Sequence, residues 1–339
     1  MSIYAYILRR LLLMIPILIG ITLVTFTVSH AVPGDPIVAN LGQRAQDDPS
    51  IVGRYRHEWG LDKPLPEQYV LYVGNLLHGN FGVSVTTRRP VSDDLRQFFP
   101  ATAELSTAAI IYSVLIGVPL GILAAVRRNR VTDHVARFVS LIGVSTPVFW
   151  LGLLALIIFY YHLGWFPGTG QIDDGIPLPP TRTGMLVVDS LIAGNWHALT
   201  NSLWHLVLPA VVLGSYALGI VTRMTRASML EVLVQDYIRT ARSKGLGTTV
   251  ILLRHALRNA IIPTLTLVGL LYGSLLSGAV LTETIFSWPG IGRYATQTAG
   301  GLDFPAIMGV ALLTALVFLV INLVVDVLYA VLNPQIRLG

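Results

Sequence analysis

The chain has 339 residues, 53% of them apolar and 12% charged, with a formal net charge of +5 and a mean hydropathy of +0.67. That balance excludes an ordinary water-soluble domain. The absence of cysteine excludes disulfides, thiolate nucleophiles and cysteine-ligated metals. The eight histidines are scattered, with no H-E-x-x-H or comparable spacing, so neither a metal nor another cofactor bound by this chain is expected. Nucleic acid is not an expected partner, because in so apolar a chain the positive charge has its meaning in its distribution between loops.

The apolar residues fall in runs near twenty long, and a helix of about twenty residues spans roughly 30 Å of hydrocarbon. The expected fold is therefore an all-α polytopic membrane protein with six transmembrane helices. The first run, Leu11 to Val32, follows Arg9 and Arg10. It is longer than a signal-peptide core, so it is expected to stay as an uncleaved helix despite the small residues near Ser29 and Ala31. Similar runs cover Ala101–Val126, Val135–Tyr161, Leu203–Val221, Ile261–Leu281 and Pro305–Leu332. Six crossings put both termini on one side.

Arginine and lysine select that side. The N-terminus, the turn after the second run, residues 223–260 and the C-terminus hold 14 of the 23 basic residues. By the bias of basic loops toward the cytoplasm, these segments face inward. Residues 1–32 are then the N-terminus and first helix, 33–100 an extracytoplasmic cap rich in proline, 101–332 a five-helix core, and 333–339 a cytoplasmic tail. Residues 164–202 carry Pro167, Pro177, Pro179 and Pro180 with several glycines, and are expected to be loop with one or two short helices.

Small residues recur where helices can meet: Gly117 with Gly121, Gly269 with Gly273, and Ser274 with Gly278. Pro16, Pro119, Pro147, Pro209 and Pro263 lie in or at the starts of spans, where each either kinks a pathway wall or is absorbed by ordinary packing. Asn322 and Asp326 share one face of the last helix. An acid facing lipid is costly, so Asp326 is expected to face protein or water near a basic residue, in a structural pair or, alternatively, a proton relay with Glu104.

Residues 223–260 are too charged to span and too well patterned for a slack loop. Met229, Leu230, Leu233, Tyr237 and Ala241 recur at helical spacing, which predicts one helix over Met229–Ala241. Gly245 and Gly247 interrupt it, and Val250–Ala260 resumes it. A short helix held across the ends of two membrane helices transmits a push that a flexible loop would absorb. Arg239, Arg242 and Lys244 are placed to meet acids on a docking partner or the headgroups of anionic lipid.

Asp236 to Asn259, DYIRTARSKGLGTTVILLRHALRN, resembles the coupling segment of the permease subunits of bacterial ATP-binding cassette importers, in the dipeptide, oligopeptide and nickel branch. The general signature there is Glu-Ala-Ala, three residues, then Gly. Here Arg239, Thr240 and Ala241 fill the triplet and Gly245 the glycine, which is the form of that branch. The resemblance runs over nearly the whole chain, through GITLVTFTVSHAVPGD at 20–35, GLDKPLPEQY at 60–69, FGVS at 81–84, LTETIFSWPGIGR at 281–293 and the C-terminal LYAVLNPQIR.

The resemblance implies a type I importer fold in a bacterial inner membrane, and a subunit that is not itself an enzyme. No G-x-x-x-x-G-K-[ST] loop is present, and the resemblance assigns ATP and magnesium to two partner ATPase subunits. Asp236, Tyr237, Arg239, Thr240, Ala241, Lys244, Gly245, Arg254 and Asn259 would couple this chain to them. A second, homologous permease subunit, an extracytoplasmic peptide-binding protein and lipid complete the implied partners. The implied cargo is dipeptides, with tripeptides, oligopeptides or nickel chelates as alternatives. An ion-coupled secondary transporter would need an internal repeat, and none is evident.

Overall fold

The computed structural model describes residues 3–31, 50, 52–53, 57 and 62–332. Most of the expected cap before Lys63 and the tail 333–339 lie outside the described residues. In chain order the helices are α1 (Ile3–Ala31), α2 (Leu65–Leu77), α3 (Val91–Val126), α4 (Val131–Ser145) and α5 (Val148–Ala155), which continues through a π-helical stretch, Leu156–His162. Then follow α6 (Leu186–Ile192), α7 (Trp196–Leu233), α8 (Asp236–Ser243) and α9, which starts as Thr248–Val250, passes through π-helical Ile251–Ala256 and continues as Leu257–Gly278. Helices α10 (Val280–Ile285), α11 (Ile291–Gly300) and α12 (Phe304–Leu332) end the described chain. All the described helices fit one all-α polytopic architecture. Five are long and apolar enough to cross a bilayer, and α4 with α5 makes a sixth if the pair counts as one.

Helices α3 and α7 form the spine and run parallel. A Cβ on Gly117 would meet Val221, one on Gly121 would fall 2.6 Å from Thr225 Cβ, and Ser113 Oγ donates to Gly214 O at 2.8 Å. The buried centre holds Leu105, Ala109, Leu213, Ala217, Val221, Leu275 and Trp288. Small residues at the seam let the backbones approach, which is how apolar helices gain contact when lipid competes equally for leucine. Helices α9 and α12 pair antiparallel, Gly269 against Val325 and Gly273 against Ile321 and Phe318. Helix α1 lies antiparallel on α12, with Arg10 reaching Asp326.

The third expected span is not one straight helix. Thr146 adopts ψ 127° and Pro147 ψ 127°, and α4 and α5 diverge by 104°. Pro147 has no N–H to continue the ladder, and it drives the residue before it into extended backbone. The bent pair nevertheless advances steadily along α7. Asp133 meets Arg226, Ser140 packs on Gly219, Gly143 on Ser215, Ala155 on Leu208 and Val212, and Phe166 stacks on Trp204. From Arg226 to Trp204 is about 33 Å of helix at 1.5 Å per residue. The pair is thus a single crossing with an elbow.

Three further expectations are corrected. Helix α3 begins at Val91, inside the expected cap, and α7 begins at Trp196. No single helix covers Met229–Ala241: α7 runs on to Leu233, the chain turns at Val234 and Gln235, and α8 starts afresh. Gln235 is extended (φ −70°, ψ 151°), so the apolar stripe changes phase there. Beyond the glycines the helix resumes at Thr248 and runs straight into the fifth span.

Candidate coupling segment

Helix α8 carries a strong polar-apolar division over only eight residues. Ile238 is completely buried and Ala241 nearly so, while Asp236, Arg239, Thr240, Arg242 and Lys244 are exposed. The two apolar side chains enter a cluster built from Ala125 of α3, Met229 of α7, and Ile251, Ala256 and Ala260 of α9. Burying a side chain the size of Ile238 contributes about 2 kcal/mol. Three membrane helices therefore share one small apolar anchor with α8. Tyr237, which the uninterrupted stripe placed on the packed face, is exposed, and Ile238 takes that position because of the break at Gln235.

Gly245 closes the helix with φ +75°. Its N–H donates to Arg242 O at 2.9 Å and Leu246 N–H donates to Ala241 O at 3.3 Å, the paired bonds of a Schellman turn. A Cβ at Gly245 would meet no atom within 4 Å, so the glycine is required by conformation and not by space.

Among the other coupling candidates, the structure joins Asn259 and Tyr237, Nδ2 donating to Oη at 2.8 Å, which fixes α8 to α9. Arg239 lies 3.5 Å from Asp236, but both are mostly exposed and such a pair contributes little. Thr240 Oγ1 donates to Asp236 O. Lys244 and Arg254 are exposed, Arg254 on the π-helical stretch of α9. Leu246, Val250 and Leu253 add exposed apolar surface beside these charges.

Sequence reasoning missed the brace that holds this end together. Arg226 donates to Asp133 through Nε at 2.7 Å and Nη2 at 2.9 Å, and Asn129 N–H, at φ +62°, donates to Asp133 Oδ2 at 2.9 Å. Arg137 completes the set at 3.5 Å. Arg226 is one of the basic residues of 223–260 that count toward the cytoplasmic side. The remaining two candidates, Asn322 and Asp326, belong elsewhere. Asp326 Oδ2 lies 3.0 Å from Arg10 Nη1 across the α1–α12 seam. It stands at the level of Gly269, nine residues beyond the Ala260 anchor, about 13 Å along α9.

At the opposite end, the segment 281–293 is a clamp. Glu283, fully buried, accepts from Thr102 Oγ1 at 2.6 Å and from Arg293 N–H at 3.0 Å. Thr102 Oγ1 accepts in turn from Ile291 N–H, and Trp288 Nε1 donates to Ala101 O at 2.8 Å. Burial pushes the Glu283 carboxyl up from its ordinary value, against the pull of Thr102 and the N–H groups of Arg293 and Gly292. Its carboxyl meets the first N–H groups of α11, where the positive end of the helix dipole favours a negative charge. No group of three or more His, Asp or Glu suited to a metal occurs among the described residues.

The family model for the binding-protein-dependent transport system inner membrane component matches residues 117–338, and the model for the N-terminal part of such membrane components matches residues 3–106. The chain is 48% identical over 320 residues to the probable D,D-dipeptide transport system permease protein DdpB of Escherichia coli K12, covering 94% of both chains. It is 46% identical to the di/tripeptide transport system permease protein DppB of Pseudomonas aeruginosa and 44% identical to the dipeptide transport system permease protein DppB of Escherichia coli K12, covering 98% of each chain in both comparisons.

Proposed function

The chain belongs to the binding-protein-dependent transport system inner membrane components and is a non-catalytic permease subunit of a dipeptide-type ABC importer; from that membership we propose that it passes dipeptides, with tripeptides as a further cargo, into the cytoplasm. A second, homologous permease subunit, two ATPase subunits that bind ATP and magnesium, and an extracytoplasmic peptide-binding protein complete the working assembly. Both termini face the cytoplasm. The excess of basic residues at the end of the bundle that carries α8 supports this orientation, as does the antiparallel α1–α12 pair that joins Arg10 to Asp326.

Energy enters through α8. The observation that carries this reading is the pairing of a fully buried Ile238, anchored on α3, α7 and α9 at once, with an exposed polar face ending in the Gly245 turn. A partner that grips the exposed face moves three membrane helices together. Asp236, Arg239, Thr240 and Lys244 present the contact, while Ala241, Tyr237 and Asn259 hold the helix to the bundle; Arg254 extends the polar surface. Substrate exposure then alternates between the two sides as the ATPase subunits close and reset. The test is ATP-dependent uptake of labelled dipeptide by the whole reconstituted assembly. Uptake of nickel chelate without peptide would transfer the chain to another cargo of the same branch.

A further inference from the structure

At the end of the bundle opposite α8, the first turns of α3, the 170–189 loop and the Ser287–Pro289 turn enclose a cleft of about 790 Å³. That volume lies in the range of small-molecule sites. Its walls are held by the protein's own bonds. Asp189 accepts from the N–H groups of Arg182, Thr183 and Gly184, and from Thr183 Oγ1. Gly170 N–H donates to Phe286 O at 2.9 Å, and His205 Nδ1 lies 3.1 Å from Gly170 O. Behind the first turn of α3, the buried Asp94 accepts from Thr87, Arg89 and Tyr294. A cleft with walls fixed in advance loses little conformational entropy when it is filled.

Two lining charges stand apart. Asp93 and Arg96 are exposed, and among the described residues neither side chain makes a hydrogen bond or ion pair. The other carboxylate in the lining, Asp189, is already saturated by the loop. Asp93 and Arg96 are three apart on one helix, which brings their Cβ atoms within about 5–6 Å. An extended two-residue peptide spans at most about 7 Å between its ends. One anion and one cation at that separation, beside the apolar faces of Phe98, Leu178 and Pro289, complement a small zwitterion with side chains.

We infer that this cleft is a peptide subsite of the permease itself, with Asp93 facing the free ammonium and Arg96 the free carboxylate of a dipeptide. The inference rests on the peptide-import reading and adds to it a place where this chain, and not the capture protein, recognises both ends of the cargo. Longer peptides fit the charge pair less well, because their ends lie farther apart.

The test uses the full permease and ATPase complex in lipid nanodiscs without the capture protein, and measures equilibrium binding of labelled alanyl-phenylalanine, its N-acetyl form and its C-terminal amide. On the parent complex, either blocking group is expected to weaken binding about tenfold. Asp93→Asn is expected to erase the penalty for acetylation alone, and Arg96→Gln that for amidation alone. Equal binding of all three peptides, or no binding of any, overturns the subsite. So does a change in affinity for the capture protein in either variant with peptide binding untouched, which would make the cleft a protein-docking surface. ATP-driven uptake of the same peptide by the parent complex with its capture protein is measured in parallel. Failure of uptake overturns the import reading, whereas uptake without dependence on the peptide ends overturns the subsite alone.

Discussion

Asp133 and Arg226, 93 residues apart, meet in a two-pronged ion pair between α4 and α7, with the carboxylate completely buried and the guanidinium about one-fifth exposed. The pair ties the start of the elbowed crossing to the helix that leads into α8. Removing one partner leaves a buried charge without compensation, at a cost of about 3 kcal/mol. Arg226→Ala, which strands the completely buried carboxylate, is expected to lower the thermal unfolding midpoint of the complex in nanodiscs clearly, and Asp133→Ala, which strands the partly exposed guanidinium, to do so less. Fluorescence-monitored melting of the two variants and the double variant checks this, and additive losses would refute the coupling.

The small-residue seams make a steric prediction with a built-in control. A Cβ on Gly143 would lie 2.5 Å from Ser215 O, a backbone atom that cannot turn aside. Gly143→Ala is therefore expected to destabilise by about 1–3 kcal/mol, as overpacking does. Gly74 in α2 has no atom within 4 Å of its would-be Cβ, and Gly74→Ala there is expected to be neutral or slightly stabilising. Membrane abundance and melting of the two variants compare them directly.

Among the described residues, Arg10 and Asp326 form an ion pair across the α1–α12 seam, beside Asn322. Asp326→Ala leaves Arg10 with Tyr6 of its own helix as partner and removes the tie across the seam, so α1 is expected to become more accessible to protease or labelling reagent. Exchange of the two charges, Arg10→Asp with Asp326→Arg, is expected to restore protection. Labelling of a cysteine placed on α1 in the parent, single and exchanged forms measures it; equal labelling in all three would mean that the pair holds nothing.

Acid should loosen the outer loop before it affects the α8 end. Asn201 and His205 hold the Asp173 carboxyl below its ordinary value. At Asp189 burial pushes upward, but the Thr183, Arg182 and Gly184 donors prevail and the net shift is also downward. A depressed carboxylate contributes stability that is present above the ordinary pKa of 3.8 and is lost as pH falls through the lower folded value. Amide exchange in residues 170–205 is thus expected to be flat from pH 7 to 5, after correction for intrinsic rates, and to rise below 3.8. Asp173→Asn should remove part of that rise.

The apolar runs made the crossings legible, because lipid imposes length and composition on any helix that spans it. Hydropathy could not reveal the elbow, since apolar residues continue on both sides of Pro147, through Leu141–Val144 before it and Val148–Ala155 after it. The Gly117–Gly121 and Gly269–Gly273 spacings pointed to real helix contacts. Helix α8 was legible as a charged, periodic segment, but its phase was not: the stripe through Tyr237 ignored the extended Gln235, and Ile238 became the anchor. Asp133–Arg226 and Thr102–Glu283 join residues 93 and 181 apart, and no local pattern announces such pairs.

We propose that α8 and its Gly245 turn carry motion between this chain and its ATPase partners. Proline cannot adopt the φ of +75° at Gly245 and lacks the N–H that bonds Arg242 O. Glutamate at Ala241 would force a charge into the Ile238 cluster. The measurement is peptide-stimulated ATPase activity of the complete reconstituted assembly carrying Gly245→Pro or Ala241→Glu, at matched membrane abundance. A loss of stimulation of tenfold or more is expected with both variants still inserted, and a graded loss with Arg239→Ala, whose exposed pair is worth only about 0.2–1 kcal/mol. Full stimulation by both Gly245→Pro and Ala241→Glu would contradict it.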